Sequence, residues 1–517
     1  MDAIADLPQS FAAKHRASKK RVSTDQSIKL FFGSNALVAI VVLALITIFL
    51  FREGFGFFGQ NLTNIRIYRQ SGLEYVDIMR KQADAHAALS RGLSLLRLKQ
   101  LRAFQAANVP QEQIDQSLAP FDQFATAFSD SAERLNGLVS DYGDLASGLK
   151  AQLAAQAELI DRSNAAVPRV AEAETIARLR QATPAYEKTA AQIRTQVESL
   201  LAAAPTFSDA VTQKVFEQWK KHAREYLVGL TSALNELRAW SPEKPVRWYE
   251  AITSFLFGRD WVTASFWQDR YGIIPLFAGS VMVSVVALAL AVPFGVAAAI
   301  YVSEVASVHE KRFIKPFLEF ISAIPSVVLG FFGIAVVGQA IRAASESHWF
   351  SWISFFPISE RLNIFTAGSL LAFMAVPTIF TLSEDALRNV PRGFKEASYA
   401  LGANRIQTIA RVLVPASLSG IVSAILLGLG RVIGETMVVL LCAGNRIEIP
   451  DFTQGLGAFF QPAHTMTGII AQEMGEVVRG SIHYRALFMV GLVLFVLTLG
   501  INYLAQRLVA RYRMSIG

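Results

Sequence analysis

Six apolar stretches of this chain carry no Asp, Glu, Lys or Arg: 30–51, 271–303, 320–341, 362–383, 412–430 and 486–506. A helix needs about 20 apolar residues to cross about 30 Å of hydrocarbon, where every backbone polar group must find its partner inside the protein. All but the fifth exceed that length, and 412–430 reaches it if its helix continues through Arg431 and Glu435. The pattern predicts an all-α membrane protein with six transmembrane helices. Composition agrees, because only 17% of the 517 residues are charged and 52% are hydrophobic, against about 25% charged in a soluble domain. The single cysteine, Cys442, excludes an intrachain disulfide and a Cys-cluster metal site. The net charge of +8 is accounted for by basic loops, with no aromatic-interleaved basic patch, so no nucleic-acid partner is expected.

Loop charges set the expected topology. Lys14, Arg16, Lys19, Lys20, Arg21 and Lys29 keep residues 1–29 in the cytoplasm. The run 30–51 is long for a signal peptide, and Phe51-Arg52-Glu53-Gly54-Phe55 is a poor cleavage site, so it stays as helix 1. The short loop 309–315 is basic, as is 384–415 with Arg388, Arg392, Lys395, Arg405 and Arg411, whereas 343–361 and 446–483 are poor in Lys and Arg. The third span is expected at about 316–342, and the last ends at Arg507, Arg511 and Arg513. Both termini are therefore expected in the cytoplasm.

Residues 52–250 differ in kind. They are rich in Ala, Gln, Leu, Arg and Glu, and breaks at Val109-Pro110, Val167-Pro168 and Ala204-Pro205 divide them into helical runs at about 64–107, 111–165, 169–203 and 207–240. Leu135, Leu138, Tyr142, Leu145 and Leu149 step 3-4-3-4, as do Phe216, Trp219, Ala223, Tyr226, Leu230, Ala233, Leu237 and Trp240. Such seams bury against other helices, predicting a long antiparallel extracytoplasmic bundle between helices 1 and 2. Helices of about 40–50 residues would extend about 60–75 Å. The bundle serves as a rigid extension or as a docking or sensing surface. The aromatic stretch 248–271, with Trp261 and Trp267, suits a membrane interface. The remainder, 251–517, follows with five further helices.

Within it, 384–415 leads into the fifth span. Ala397, Ala400 and Ala403 make a thin helix face, Gly402 permits a sharp turn, and Pro415 ends the unit before the membrane. A compact helix–turn–helix of this kind can insert into a cleft on a partner. Further along lie Arg431 and Glu435, which share a helix face at i and i+4. Intramembrane charges are costly and face a cavity or a partner. Arg431 lies about 22 Å along the helix from Pro415, toward the outer leaflet, and its planar fork suits a tetrahedral oxyanion. Glu435 would hold it or take a proton, unless the pair is a structural bridge at an interface between subunits. Thr436 and Asn445 are weaker pathway candidates. No G-x-x-x-x-G-K-[ST] or H-E-x-x-H pattern occurs, so neither ATP binding, a metal nor another cofactor is expected of this chain.

Glu396-Ala397-Ser398, Gly402 and Val412-Leu413-Val414-Pro415 resemble the EAA loop of ABC-transporter permeases, with departures at Ser398, Val412 and Val414. Gly430-Arg431-Val432-Ile433-Gly434-Glu435-Thr436-Met437, closing at Gly444-Asn445, resembles the signature of PstC-type phosphate permeases. Ala291-Val292-Pro293-Phe294-Gly295, Tyr301-Val302-Ser303-Glu304 and Ile324-Pro325-Ser326-Val327-Val328-Leu329-Gly330 agree. The resemblance covers about 255–517 and helix 1, leaving 60–245 as an insertion. It implies an ABC-importer permease subunit for inorganic phosphate in the bacterial inner membrane. The partners it implies are a PstA-like second permease, a PstB-like ATPase dimer that meets Glu396, Ala397, Gly402 and Pro415, and a periplasmic phosphate-binding protein. Two other readings stand beside it: a permease for sulfate or molybdate, and a membrane sensor using the bundle.

Overall fold

A computed structural model describes residues 7–106, 109–163, 172–207, 210–263, 265–350, 352–353 and 355–512. The Val167–Pro168 break and Arg513 lie outside the described residues, as do the side chains of Lys14, Arg16, Lys19, Lys20, Arg21 and Arg511. The chain divides into two compact units. One comprises Met1–Phe58, Leu256–Asp260 and Gly272–Gly517, the other Gly59–Phe255 and Trp261–Tyr271.

The first helix, α1 (Leu7–Gln70), does not stop at residue 51 but runs on past the expected start of the first bundle helix at 64. It breaks only at Ser71–Gly72, where Gly72 takes φ +80°, a left-handed conformation that costs other L-residues about 1–2 kcal/mol.

The second unit holds α2 (Leu73–Ala106), α3 (Gln111–Asp130), α4 (Glu133–Ser163), α5 (Glu172–Arg180), α6 (Ala182–Ala202) and α7 (Ala210–Ala239). Neighbours run antiparallel. Tyr75 meets Trp240 while the Trp219 indole donates to the Leu89 carbonyl, and Arg97 pairs with Asp122 while His86 stacks on Phe128. The helices are shorter than the expected 40–50 residues, with α2 the longest at 34. The run 111–165 breaks at Ser131–Ala132.

The α7 seam is buried from Phe216 to Leu237, as its 3-4 step requires. On α4 the buried line is Leu135, Val139, Ala146 and Leu149, with Leu138, Tyr142 and Leu145 half-buried beside it. That helix touches α2 on one side and α6 on the other, so its apolar stripe is wider than one seam.

The aromatics of 248–271 also differ from expectation. After α8 (Trp248–Leu256), strands β1 (Trp261–Val262) and β2 (Arg270–Tyr271) pair antiparallel. Trp261 is buried and Trp267 packs over Gly143 with the Arg80 guanidinium on its face, so neither ring is free to anchor at an interface. Buried Asp77 accepts hydrogen bonds from the Tyr68 hydroxyl and Arg270, each at 2.8 Å.

In the other unit, α9 (Ile274–Ile300) ends in a π turn, Tyr301–Val305, and α10 (Val308–Ala323) follows behind a Ser307–Glu310 capping box. Pro325 stops α10, so the third span is not 316–342. It consists of α11 (Ser326–Phe332), a π turn at Gly333–Val337 and α12 (Gly338–Glu346). Next come α13 (Ile364–Arg388), α14 (Arg392–Ala400), α15 (Arg405–Thr408), a third π turn at Ile409–Leu413 and α16 (Val414–Ile433). The chain closes with α17 (Met437–Cys442), α18 (Met466–Glu473) and α19 (Ile482–Tyr512).

Six helical segments among the described residues are long and apolar enough to cross a membrane: Lys29–Gln70, Ile274–Val305, Ser326–Glu346, Ile364–Arg388, Arg405–Ile433 and Ile482–Arg507. The protein is an all-α, multi-pass membrane protein. Its α13 is central, with 67% of its apolar window buried against 22–39% for the four other spans after residue 250. Glycines let it approach its neighbours: a Cβ on Gly368 would lie 2.6 Å from Val286 on α9, and one on Gly428 of α16 would lie 2.8 Å from Ile379. Between lipid-embedded helices such close packing replaces the hydrophobic force.

In the bundle core, His86 is 2% exposed, its Nε2 lies 2.8 Å from the Phe128 carbonyl oxygen, and its Nδ1 has no partner. Since a neutral carbonyl only accepts, Nε2 carries the proton. Burial holds its pKa below the ordinary value. The unfolded chain therefore binds a proton first as pH falls, and folding stability declines below about pH 6.5. We expect the melting temperature of the full-length protein to fall between pH 7.5 and 5.5, and His86→Leu to flatten that slope. Thermal unfolding followed by tryptophan fluorescence checks it.

Candidate functional site

Two parts of the unit that holds α9 to α19 carry the residues singled out from sequence. The first is α14–Gly402–α15. Gly402 sits at φ +82° with no atom within 4 Å of a would-be Cβ, so the position demands a backbone conformation rather than space. Its N–H donates to the Tyr399 carbonyl at 2.9 Å, and the Ala403 N–H to the Ser398 carbonyl at 3.2 Å, closing α14. Asn404 and Gln407 form a reciprocal capping box that opens α15. Ser398, the departure from Ala in the motif, has a buried partner: its hydroxyl lies 2.9 Å from that of Thr408.

Glu396 and Ala397 are exposed, as are Gly402 and Pro415. Beside the exposed Ala397 and Ala400, Leu401 and Ile406 project from the tip at 89% and 77% exposure. Nor does Pro415 end the unit. It enters the first turn of α16, where its missing N–H costs nothing, and the π turn before it carries the helix from Arg405 to Ile433 without a stop.

The second part surrounds Arg431. The expected Arg431–Glu435 pair is absent, because α16 ends at Ile433 and the chain turns through Gly434–Thr436. Glu435 instead accepts from the Met437 N–H at 3.1 Å, capping α17, whose other end is closed by Asn445 donating to the Leu440 carbonyl at 2.9 Å. Thr436 is the N-cap residue of α17. Glu435, Thr436 and Asn445 thus belong to one short capped helix, and Arg431 points elsewhere.

Arg431 Nη1 donates to the Thr378 hydroxyl on α13 at 3.1 Å. Both residues line a cavity of about 330 Å³ together with Lys315, Glu384, Asp385 and Arg388. The Cα rise along α16 places Arg431 far from Pro415, but helical side chains lean toward the helix N-terminus. The guanidinium accordingly reaches back to the end of α13 that carries Glu384 and Arg388. Glu384 is 6% exposed and occupied by Lys315 at 2.7 Å and Arg388 at 3.8 Å. Among the described residues, Arg431 has no carboxylate within ion-pair distance. Its side-chain hydrogen bond goes to a neutral hydroxyl. No cluster of His, Cys, Asp and Glu among the described residues is placed to hold a metal ion.

Sequence reasoning missed Thr378, Lys315 and the segment 462–469. That segment is buried throughout, although 446–483 was expected to be an external loop. Its Thr467 hydroxyl donates to the Glu435 carbonyl at 2.8 Å, and its Met466 N–H to Ser280 at 2.9 Å. It supports the turn that separates Arg431 from Glu435. A signal was present, because 452–472 is also free of charged residues.

The profile of the family described as binding-protein-dependent transport system inner membrane component matches residues 291–514. The chain is 36% identical over 245 residues to the "Probable ABC transporter permease protein YqgH" of Bacillus subtilis (strain 168), covering 46% of this chain and 74% of that protein. It is 30% identical over 272 residues to the "Phosphate transport system permease protein PstC" of Pasteurella multocida, covering 51% and 82%. The Haemophilus influenzae protein of the same name is 30% identical over 272 residues, covering 50% and 84%.

Proposed function

We propose that this chain, which belongs to the family of binding-protein-dependent transport system inner membrane components, is the permease subunit of an ATP-driven importer of inorganic phosphate. The observation that carries the substrate reading is Arg431, a cation lining a cavity and hydrogen-bonded to the neutral Thr378 hydroxyl. An oxyanion entering there meets a planar donor fork. Relatives named as phosphate transport permeases supply the chemical identity of that oxyanion. Thr378 holds the guanidinium in line. Glu435, Thr436 and Asn445 shape the adjoining turn.

ATP is hydrolysed on a separate pair of ATPase subunits, which take the α14–Gly402–α15 knob into a cleft. Leu401 and Ile406 supply the apolar anchor there, and Glu396 and Ala397 flank it. A second permease completes the pathway, and a binding protein delivers phosphate from the periplasm. The basic residues of 384–415 support a cytoplasmic knob, with both termini on that side and residues 52–250 extracytoplasmic.

Uptake of labelled phosphate, with sulfate or molybdate as competitor, tests the substrate. Sulfate is expected to compete poorly; equal competition would replace phosphate by oxyanions at large. A charge-assisted hydrogen bond contributes about 1.5–3 kcal/mol, so Arg431→Gln should lower uptake about 10- to 100-fold. Thr378→Val should lower it about tenfold, with Thr378→Ser near wild type. Unchanged uptake by Arg431→Gln removes the proposed role of that residue.

The coupling surface has its own test. Leu401→Glu places a charge in the buried centre of the contact and should reduce co-purification of the ATPase subunits at least tenfold. Gly402→Val, strained at φ +82°, should act in the same direction. Association and uptake intact in both variants would sink the assignment.

A further inference from the structure

Glu304 closes the second span, in the π turn Tyr301–Val305, and its side chain is only 9% exposed. Its carboxylate pairs with Lys395 of α14, one residue before Glu396. Its main-chain carbonyl accepts from Arg405, the first residue of α15. One residue therefore holds both helices that flank the Gly402 turn. Ser303 beside it donates to the same carboxylate at 3.2 Å and accepts Lys311 at its own carbonyl at 3.2 Å.

The knob itself is stitched by Ser398 and Thr408, so α14 and α15 move as one piece. That piece has three attachments. Two are covalent: residues 389–391 join it to α13, which carries Thr378, and the π turn Ile409–Leu413 joins it to α16, which carries Arg431. The third is Glu304, in the π turn that ends α9. The covalent links lead to the two sides of the Arg431–Thr378 contact, and α9 packs on α13 through close glycine contacts.

We propose that Glu304 is a positioning residue that ties the knob to the second span, so that α9 moves with α13 and α16 when the knob is displaced. This rests on the reading of α14–α15 as the ATPase-coupling element. Without the tie, the ATPases move α13 and α16 while α9 stays behind, and hydrolysis proceeds with little transport.

The test uses the full transporter, this chain with its permease, ATPase and binding-protein partners, reconstituted in vesicles. Phosphate uptake and ATP hydrolysis are measured in parallel. Glu304→Gln and Lys395→Met should each keep ATPase association and at least half of the hydrolysis rate, while phosphate taken up per ATP falls at least fivefold. Lys395→Arg should keep the wild-type ratio. The double variant should be no worse than either single one, because both remove the same interaction. Hydrogen exchange of amides 392–408 should speed up at least tenfold in Glu304→Gln, a readout independent of the transported anion. An unchanged ratio in the two neutral variants, or effects that multiply in the double variant, would overturn the proposal. A wild-type complex that hydrolyses ATP but imports no phosphate would instead strike the substrate reading, with the exchange measurement still deciding the tie.

Discussion

The close approach of α9, α13 and α16 is the constraint on which the permease unit depends. Lipid tails are as apolar as leucine, so spans are not driven together by water and must gain by contact. Gly368 and Gly428 bring backbones near enough that a methyl group would collide with Val286 or Ile379. Those contacts make α13 the central helix and fix which of its faces meets α16. Thr378 lies on that face, and so Arg431 finds a hydroxyl rather than a lipid chain. The cavity is thus a product of helix spacing before it is a product of charge.

Much of this architecture was legible in the sequence because charge-free runs are hard to explain in any other way. Six runs gave six spans, and the α7 seam from Phe216 to Leu237 is buried. Places where the backbone changes course were less visible. Proline is ambiguous: Pro325 stops a helix, whereas Pro415 enters one in its first turn. The i, i+4 relation of Arg431 and Glu435 presumed an unbroken helix, and Gly434 ends it. Counting rise along the axis located the Arg431 Cα but not its long side chain, which leans the other way. Thr378 carried no signal, since one threonine in an apolar run is unremarkable without knowing what it faces.

The segment 462–469 shows a different limit. Its Pro, His and Thr residues look like loop chemistry, and its neighbours Asp451 and Glu473 suggest solvent. In the fold it is buried, because the break at Gly434–Thr436 leaves backbone groups inside the protein that need partners. Thr467 supplies one of them, donating to the Glu435 carbonyl. An interrupted span and a buried loop are in this sense one feature, each requiring the other.

The π turns at Tyr301–Val305, Gly333–Val337 and Ile409–Leu413 bear on how such a chain can change over its history. A π turn holds one residue more than the α-helix around it. A single residue lost there returns the helix to ordinary geometry and leaves both flanking faces as they were. The same loss elsewhere in a span turns everything beyond it by about 100°. Between the coupling loop and Arg431, Ile409–Leu413 is therefore a place where the length of the chain can vary while the arginine keeps its direction.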